Sequence, residues 1–139
     1  MTVEIASGKI PQRDELAGLY DAVGWSAYTR DLDVLERALQ GSTNVATARR
    51  DGRLVGLARV VSDGVSIAYL QDILVRPDEQ RGGLGKRLVT EVLGPFASVR
   101  QKVLLTDDEP SQRAFYEALG FAETRDFEDG SLRAFVRFD

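Results

Sequence analysis

The 139-residue sequence contains neither cysteine nor histidine, and these two absences exclude several kinds of active site. Without cysteine there can be no disulfide, no thiolate nucleophile and no cysteine metal ligand. Without histidine there can be no Ser-His-Asp triad, no imidazole base and no histidine zinc site. Acid–base chemistry must therefore come from Asp, Glu, Tyr, Lys, water or the backbone, and we predict no metal site.

Long apolar runs and an excess of basic residues are also lacking. No apolar run approaches the roughly 20 residues of a membrane span, and the N-terminus "MTVEIASGK" does not resemble a signal peptide. The net charge is −4, without the basic stripe of a nucleic-acid-binding protein. We therefore expect a cytoplasmic protein with no nucleic-acid or membrane partner. The length and the 43% apolar content fit a single domain over residues 1–139.

The first half of the chain reads as a strand, two helices and three strands. The strand is "TVEIA", the first helix runs from Pro11 to Gly24, and the second is "DLDVLERALQG", with Asp31 as its N-cap. The segment "WSAYTR" between the helices reads as a loop. The strands "NVATARRD" and "RLVGLARVVSD" flank an Asp-Gly hairpin turn, and "IAYLQDILV" reads as a buried central strand.

The second half continues with a glycine-rich loop, a helix, a strand, a helix and a final hairpin. The helix "LGKRLVTEVLGPFASV" should kink or shorten at Gly94-Pro95, and "KVLLT" is a short buried strand. The helix "PSQRAFYEALGF" opens at Pro110, and "FAETRDFED" and "LRAFVRFD" form the hairpin. This order predicts one mixed α/β domain, with antiparallel hairpins outside and parallel pairing around the glycine-loop helix.

The stretch "VRPDEQRGGLGKRL" has three glycines within four positions, at the junction of a strand and a helix. Helix N-termini bind anions through free N–H groups, and small residues let a phosphate approach the backbone. Arg81, Lys86 and Arg87 add positive charge. The residues therefore indicate a phosphate-bearing ligand, although an ordinary tight turn into a helix is the alternative.

Two familiar phosphate-binding motifs do not match this stretch. A Walker A loop needs Ser or Thr after Gly-Lys, but Arg87 follows Lys86, and its earlier glycine position is occupied by Gln80. A dinucleotide fingerprint needs a glycine where Leu88 stands, in a loop that follows the first strand. The ligand is therefore expected to belong to another phosphate-bearing class.

The pattern that fits is Gln-x-x-Gly-x-Gly, formed by Gln80, Gly83 and Gly85. It follows Val-x-Pro and precedes "AFYEALGF" by about 30 residues. In these motifs the chain resembles the GCN5-related N-acetyltransferase (GNAT) family, most clearly from Thr43 to Phe121. The resemblance implies an acyl-CoA N-acyltransferase fold. Such a fold has a central, mostly antiparallel sheet with a splayed parallel strand pair, flanked by about four helices.

The resemblance also implies where acetyl-CoA, the co-substrate, would bind. The loop and helix start would cradle its pyrophosphate, and the splayed strand would pair with its pantetheine arm. One strand N–H would polarise the thioester carbonyl, which is an oxyanion-hole role that needs no side chain. The implied cofactor-binding residues are Ile73, Leu74, Val75, Gln80, Arg81, Gly82, Gly83, Leu84, Gly85 and Lys86.

Tyr116 matches the family tyrosine that protonates the departing thiolate, and a core aromatic is the alternative. The amine would attack the acetyl carbon directly, in a ternary complex. The proton of the amine would pass to a carboxylate or to a water held by polar groups. Asp72 is the carboxylate on the central strand, and Tyr69 stands where some relatives carry a catalytic glutamate. For Asp72, a structural carboxylate that pairs with an arginine is the alternative.

The family's first helices and their connection cover the acceptor site, so Trp25 and Tyr28 are expected to line it; packing residues are the alternative. The acceptor is expected to be a primary amine of a small molecule, a lysine or an N-terminus. The excess of acidic over basic residues favours a cationic acceptor.

A homodimer is also expected, because dimers are common in the family and the final hairpin offers an edge strand for pairing. The rival functions are a non-catalytic module that senses acyl-CoA and a domain for another phosphorylated ligand.

Overall fold

The computed structural model describes residues 2–139, which divide into two compact units. The first ends at Leu105, and the second covers Thr106–Asp139. The first unit contains the sheet and most of the helices. Within residues 2–139, no helix is both long and apolar enough to cross a membrane.

The sheet of the first unit has five strands in the order β1-β2-β3-β4-β5, so neighbours in the sheet are also neighbours along the chain. The strands are β1 Val3–Ser7, β2 Asn44–Arg50, β3 Arg53–Ser62, β4 Ile67–Val75 and β5 Gln101–Leu104. All neighbours are antiparallel except β4 and β5, which are parallel. The predicted mixed α/β fold with a mostly antiparallel sheet is confirmed.

The turn between β2 and β3 forms where the sequence predicts it. Asp51 and Gly52 both have positive φ, at 52° and 83°. Two successive left-handed residues match the twist of an antiparallel pair, and Asp-Gly accepts that conformation at little cost. Local turn chemistry therefore sets the register of this hairpin.

Within the described part of the first unit there are four α-helices: α1 Arg13–Ala22, α2 Ser26–Thr29, α3 Leu32–Gln40 and α4 Leu84–Leu93. Asp31 is the N-cap of α3, as predicted, and its side chain accepts from the N–H of Val34 at 3.2 Å. Pro11 lies before α1, whose N-cap is Gln12. The segment "WSAYTR" is not a plain loop, because it contains the single helical turn α2.

The two faces of the sheet are covered by different helices. Leucines and Tyr20 from α1 and α3 form one buried cluster with strand residues that include Leu57 and Leu74. Alternation along β3 turns Gly56 to the opposite face, where α4 crosses. A Cβ built at Gly56 would lie 2.8 Å from Cδ1 of Leu88 and 3.1 Å from the carbonyl oxygen of Leu74. The absence of a side chain at Gly56 is therefore what lets α4 pack against this face.

The second unit is built around α5 Pro110–Ala118, which begins at Pro110 as predicted. The predicted final hairpin is wrong. Thr124–Gly130 forms 3-10 turns with an internal kink, and residues 131–139 form no strand. Arg113 pairs with Glu123 at 3.0 Å and with Asp126 at 2.5 Å, so the segment after α5 is held by this helix instead of by a strand. The alternation of apolar and polar residues in this segment has the period of a strand, but it does not specify a neighbouring strand to pair with.

Candidate functional site

The glycine-rich loop connects β4 to α4 through a short 3-10 helix, Pro77–Gly82. Gly83 follows at φ 77°, and α4 begins at Leu84. The side-chain amide of Gln80 donates to the carbonyl of Val75 at 3.0 Å, which ties the loop back to the end of β4. The predicted strand–loop–helix unit is therefore present, with Gly83 as its left-handed corner.

Of the three glycines in this loop, only Gly83 has a backbone conformation that favours glycine. Gly82 and Gly85 do not have positive φ, and Gly85 lies inside the first turn of α4. A glycine inside a helix costs roughly 1 kcal/mol relative to alanine. The turn therefore accounts for one glycine and leaves the other two without a conformational reason.

No side chain among the described residues 2–139 caps the N-terminus of α4. By contrast, Asp31 caps α3, and at the start of α1 the carboxylate of Glu15 accepts from the N–H of Gln12 at 3.2 Å. The first N–H groups of a helix have no intrahelical acceptor, and the helix dipole makes this end partly positive. The start of α4 is thus open to an anion.

Beside the loop lies a cavity of about 380 Å³ whose lining includes three arginines, Arg50, Arg81 and Arg87. Arg50 forms two hydrogen bonds to the carboxylate of Glu79, at 2.8 and 2.9 Å. That interaction lowers the pKa of Glu79 and raises the pKa of Arg50. The loop is thus braced by one ion pair while further arginines add positive charge to its surroundings.

The parallel strands β4 and β5 pair over only part of β4. The last pair is Leu70 with Leu104, so residues 71–75 have no β5 partner within residues 2–139. These residues keep their pairing with β3 on the other side, as in Ala58 with Ile73 and Gly56 with Val75. The pairing with β3 slips between Arg59 and Val60, which makes Gln71 the extra residue of a β-bulge. The splayed parallel pair of the predicted fold is confirmed.

A second cavity, of about 390 Å³, lies between the α1–α2 segment and β4. It is lined by residues 24–28, by Arg30 and by Gln71 and Asp72. Trp25 and Tyr28 form its aromatic wall, with ring centroids 5.9 Å apart and planes tilted by 28°. The structure therefore brings together Trp25, Tyr28 and Asp72, which the sequence singled out separately, whereas Tyr69 does not line this cavity.

Trp25 is fixed by the way in which α1 ends. Gly24 has φ 82°, its N–H donates to the carbonyl of Asp21, and the N–H of Trp25 donates to the carbonyl of Tyr20, both at 3.0 Å. This is a Schellman motif, in which the residue after the glycine packs back onto the last turn. The rings of Tyr20 and Trp25 accordingly lie 6.1 Å apart. A backbone motif thus sets the aromatic wall.

Asp72 lies in a buried network and not in an open position. Its carboxylate accepts from Nε of Arg59 at 2.5 Å, from the hydroxyl of Tyr20 at 2.9 Å and from the hydroxyl of Tyr28 at 3.0 Å. Asp72 and Arg59 are 2% and 7% exposed. The structure therefore contains the arginine partner that the sequence analysis gave as the alternative role for Asp72. Sequence reasoning missed Arg59 itself, although a single charge inside the apolar run "LVGLARVV" was a usable signal.

The network holds its members in defined protonation states. Burial, together with the charge of Asp72, raises the pKa of Tyr20 and of Tyr28, so both phenols keep their protons. Burial lowers the pKa of Arg59, but attraction and hydrogen bonding to Asp72 outweigh it and leave the pKa raised. Burial and then Asp72 also raise the pKa of Tyr69. The three phenols therefore stay protonated at neutral pH, and those of Tyr20 and Tyr28 donate to Asp72.

Tyr116 lies on α5, in the second unit, and is 7% exposed. The helix ends in another Schellman motif. Gly120 has φ 93°, and the N–H of Phe121 donates to the carbonyl of Tyr116 at 3.0 Å. The rings of Tyr116 and Phe121 lie 6.1 Å apart, and Phe115 packs edge-on at 5.0 Å. Burial, followed by the charge of Asp107, raises the pKa of Tyr116 to about 12.

The family model of the acetyltransferase (GNAT) domain matches residues 13–134. The chain belongs to the GNAT family of N-acetyltransferases. This confirms the resemblance on which the expected fold and enzyme class depend.

Individual GNAT relatives resemble most of the chain. An N-acetyltransferase named ycf52, from Pyropia yezoensis, is 30% identical over 89% of this chain and 72% of its own length. The chain spans only 66% and 42% of two other curated relatives. A GNAT family protein from Streptococcus pneumoniae, SP0256, has a TM-score of 0.85 at 29% identity, with 99% of this chain and 98% of that chain covered.

A third comparison concerns the fold alone. The aminoglycoside N-acetyltransferase AAC(6′)-Iy in complex with CoA has a TM-score of 0.71 at 21% identity, with 99% of this chain and 95% of that chain covered. That complex places CoA on a GNAT fold with the architecture described above.

Proposed function

We propose that this GNAT protein transfers the acetyl group of acetyl-CoA to a primary amine by direct attack in a ternary complex. The proposal rests on the order in which three structural features follow one another along one segment of the chain. β4 separates from β5 after Leu70, and the chain then passes through a glycine loop into a helix with an uncapped start. Each of these features fits one part of a CoA molecule.

The pyrophosphate would bind at the loop and at the first turn of α4. Gly82 and Gly85 have no conformational need for glycine, and a Cβ built at Gly82 would meet no atom within 4 Å. Small residues there are explained if the backbone from Arg81 to Lys86 approaches a phosphate closely. The helix dipole and the neighbouring arginines favour the same negative charge.

The pantetheine arm would pair with the part of β4 that has no β5 neighbour. Ile73, Leu74 and Val75 lie in this part, and their backbone groups can bind an amide-containing chain as an added strand would. The bulge at Gln71 changes the direction of N–H groups locally. A backbone N–H in this region would polarise the thioester carbonyl, as an oxyanion hole does.

We assign Asp72 a positioning role in place of a general base. Three donors already point at its two oxygens, and Asp72 is only 2% exposed, so its carboxylate is poorly placed to take a proton from an ammonium group. Tyr69, with its raised pKa, stays protonated at neutral pH. The proton of the amine therefore passes to ordered water, while Asp72 holds Tyr28 in the wall of the acceptor cavity.

Tyr116 would act as the general acid on the departing thiolate. The resemblance supplies this role, and the raised pKa of its phenol keeps the proton available at every physiological pH. Trp25 and Tyr28 would contact the acceptor. No described residue needs to form a covalent intermediate, because the amine itself attacks the acyl carbon.

The proposal is tested by incubating the protein with acetyl-CoA and a panel of primary amines, with detection of free CoA thiol. We expect thiol release that depends on an amine, and mass spectrometry should find that amine acetylated. Tight binding of acetyl-CoA without transfer to any amine would instead identify a sensing module. Stabilisation by ATP or NAD, but not by acetyl-CoA, would indicate a different phosphorylated ligand.

A further inference from the structure

The lining of the aromatic cavity includes an acidic residue, Asp72, and a basic residue, Arg30, and they differ in what they can offer a ligand. The carboxylate of Asp72 is buried and bound by Arg59, Tyr20 and Tyr28. Its charge is therefore compensated inside the protein. A cationic group in the cavity would find no free carboxylate on this wall.

Arg30 is the opposite case. Its side chain is exposed at the cavity, and its guanidinium has no ion-pair or hydrogen-bond partner among residues 2–139. The two acidic residues nearest in sequence are engaged by other groups. Asp31 caps α3, and Asp33 pairs with Arg13.

The backbone around Arg30 is fixed. Arg30 is the C-cap of α2, and its N–H donates to the carbonyl of Ser26 at 3.2 Å. The hydroxyl of Thr29 donates to the carboxylate of Asp21 at 2.6 Å and lies 3.1 Å from the same carbonyl oxygen of Ser26. The backbone that carries the Arg30 guanidinium is therefore held in place next to the aromatic wall.

We propose that the acceptor carries a carboxylate in addition to its amine, and that Arg30 binds this carboxylate. The inference rests on the proposed acetyl transfer. A planar guanidinium binds a carboxylate through two parallel hydrogen bonds. One guanidinium balances one carboxylate charge, whereas a phosphate monoester carries close to two charges at neutral pH. The acceptor class is thus an amino acid or a similar small amine with an acid group.

The size and the wall of the cavity agree with this class. A volume of about 390 Å³ lies within the range of small-molecule sites, and the rings of Trp25 and Tyr28 suit an apolar or aromatic side chain. The acidic composition of the chain had favoured a cationic acceptor. The local charge of the cavity gives the opposite preference, because its acid is paired and its arginine is not.

The test compares two acceptors that differ only in the carboxylate, phenylalanine and phenethylamine. We expect the wild type to prefer phenylalanine by roughly tenfold in kcat/KM, since a charge-assisted bond is involved at an exposed site. Arg30→Gln should remove the preference, and Arg30→Lys should keep part of it. Arg100→Gln, at an exposed arginine outside the described cavities, should leave it unchanged.

Two results would overturn the inference: equal use of both amines by the wild type, or a preference that survives in Arg30→Gln. Either would leave acetyl transfer itself intact. If neither amine is acetylated, ligand-observed NMR without acetyl-CoA decides the question separately. Binding of phenylalanine but not phenethylamine, lost in Arg30→Gln, supports the role of Arg30, and binding of neither or of both refutes it.

Discussion

Tyr116→Phe is expected to lower turnover by roughly 10²- to 10⁴-fold, which is the usual contribution of a positioned general acid. The substitution removes one hydroxyl and keeps the ring that packs against Phe115 and Phe121. We therefore expect the affinity for acetyl-CoA and the thermal midpoint to stay close to wild type. Steady-state thiol release, calorimetry and a thermal scan on the same preparation measure all three.

The matched control for Tyr116→Phe is a change of packing at the same helix end. Phe121→Leu alters the ring contact with Tyr116 but keeps the hydroxyl. We expect it to lower the thermal midpoint more than Tyr116→Phe does, and to lower turnover far less. Normal turnover by a folded Tyr116→Phe protein would show that the phenol is a core aromatic and not the acid.

Asp72→Ala is expected to cost about 3–5 kcal/mol of unfolding free energy, because it leaves Arg59 charged and buried. The carboxylate accepts three hydrogen bonds in the wild type, and all three donors lose their acceptor together. Urea unfolding followed by circular dichroism measures the loss. A loss of this size is a large share of the total stability of a small domain.

The cost of Asp72→Ala should be largely a penalty for the charge left behind. The double variant Arg59→Ala with Asp72→Ala removes both charges, so we expect it to be less destabilised than the sum of the two single variants. A strictly additive result would show that Asp72 and Arg59 do not act as a pair.

The parts of the fold that depend on local chemistry could be predicted from the sequence. The Asp51-Gly52 turn, the cap at Asp31 and the glycine that ends α5 each specify their geometry within a few residues. The pattern Tyr-x-x-x-Gly-Phe has a physical reason in α5. Gly120 supplies the left-handed residue of a Schellman motif, which packs Phe121 against Tyr116.

Features that depend on distant partners could not be predicted in the same way. Tyr20 and Asp72 are 52 residues apart, and the sequence did not indicate that they share a hydrogen bond. The prediction of a final hairpin was wrong for a related reason. Residues 131–139 alternate as a strand would, but the charges of Glu123 and Asp126 bind Arg113 on α5.

The candidate site shows the same distinction between features set by local sequence and features set by distant partners. The glycine loop was visible because a run of glycines is unusual wherever it falls, and its role as the corner before α4 follows from Gly83 alone. The acceptor cavity was visible only as two aromatic residues, Trp25 and Tyr28. Its charge balance, set by a paired Asp72 and by an Arg30 with no partner among residues 2–139, needed the folded chain.

Calorimetric titration of the folded wild-type protein is the most direct test of whether the backbone from Arg81 to Lys86 binds the pyrophosphate of acetyl-CoA. Our expectation is saturable binding of one acetyl-CoA per chain, with no comparable heat from ATP or NAD. No detectable binding of acetyl-CoA at about 1 mM, which corresponds to a binding free energy weaker than about −4 kcal/mol, would contradict it.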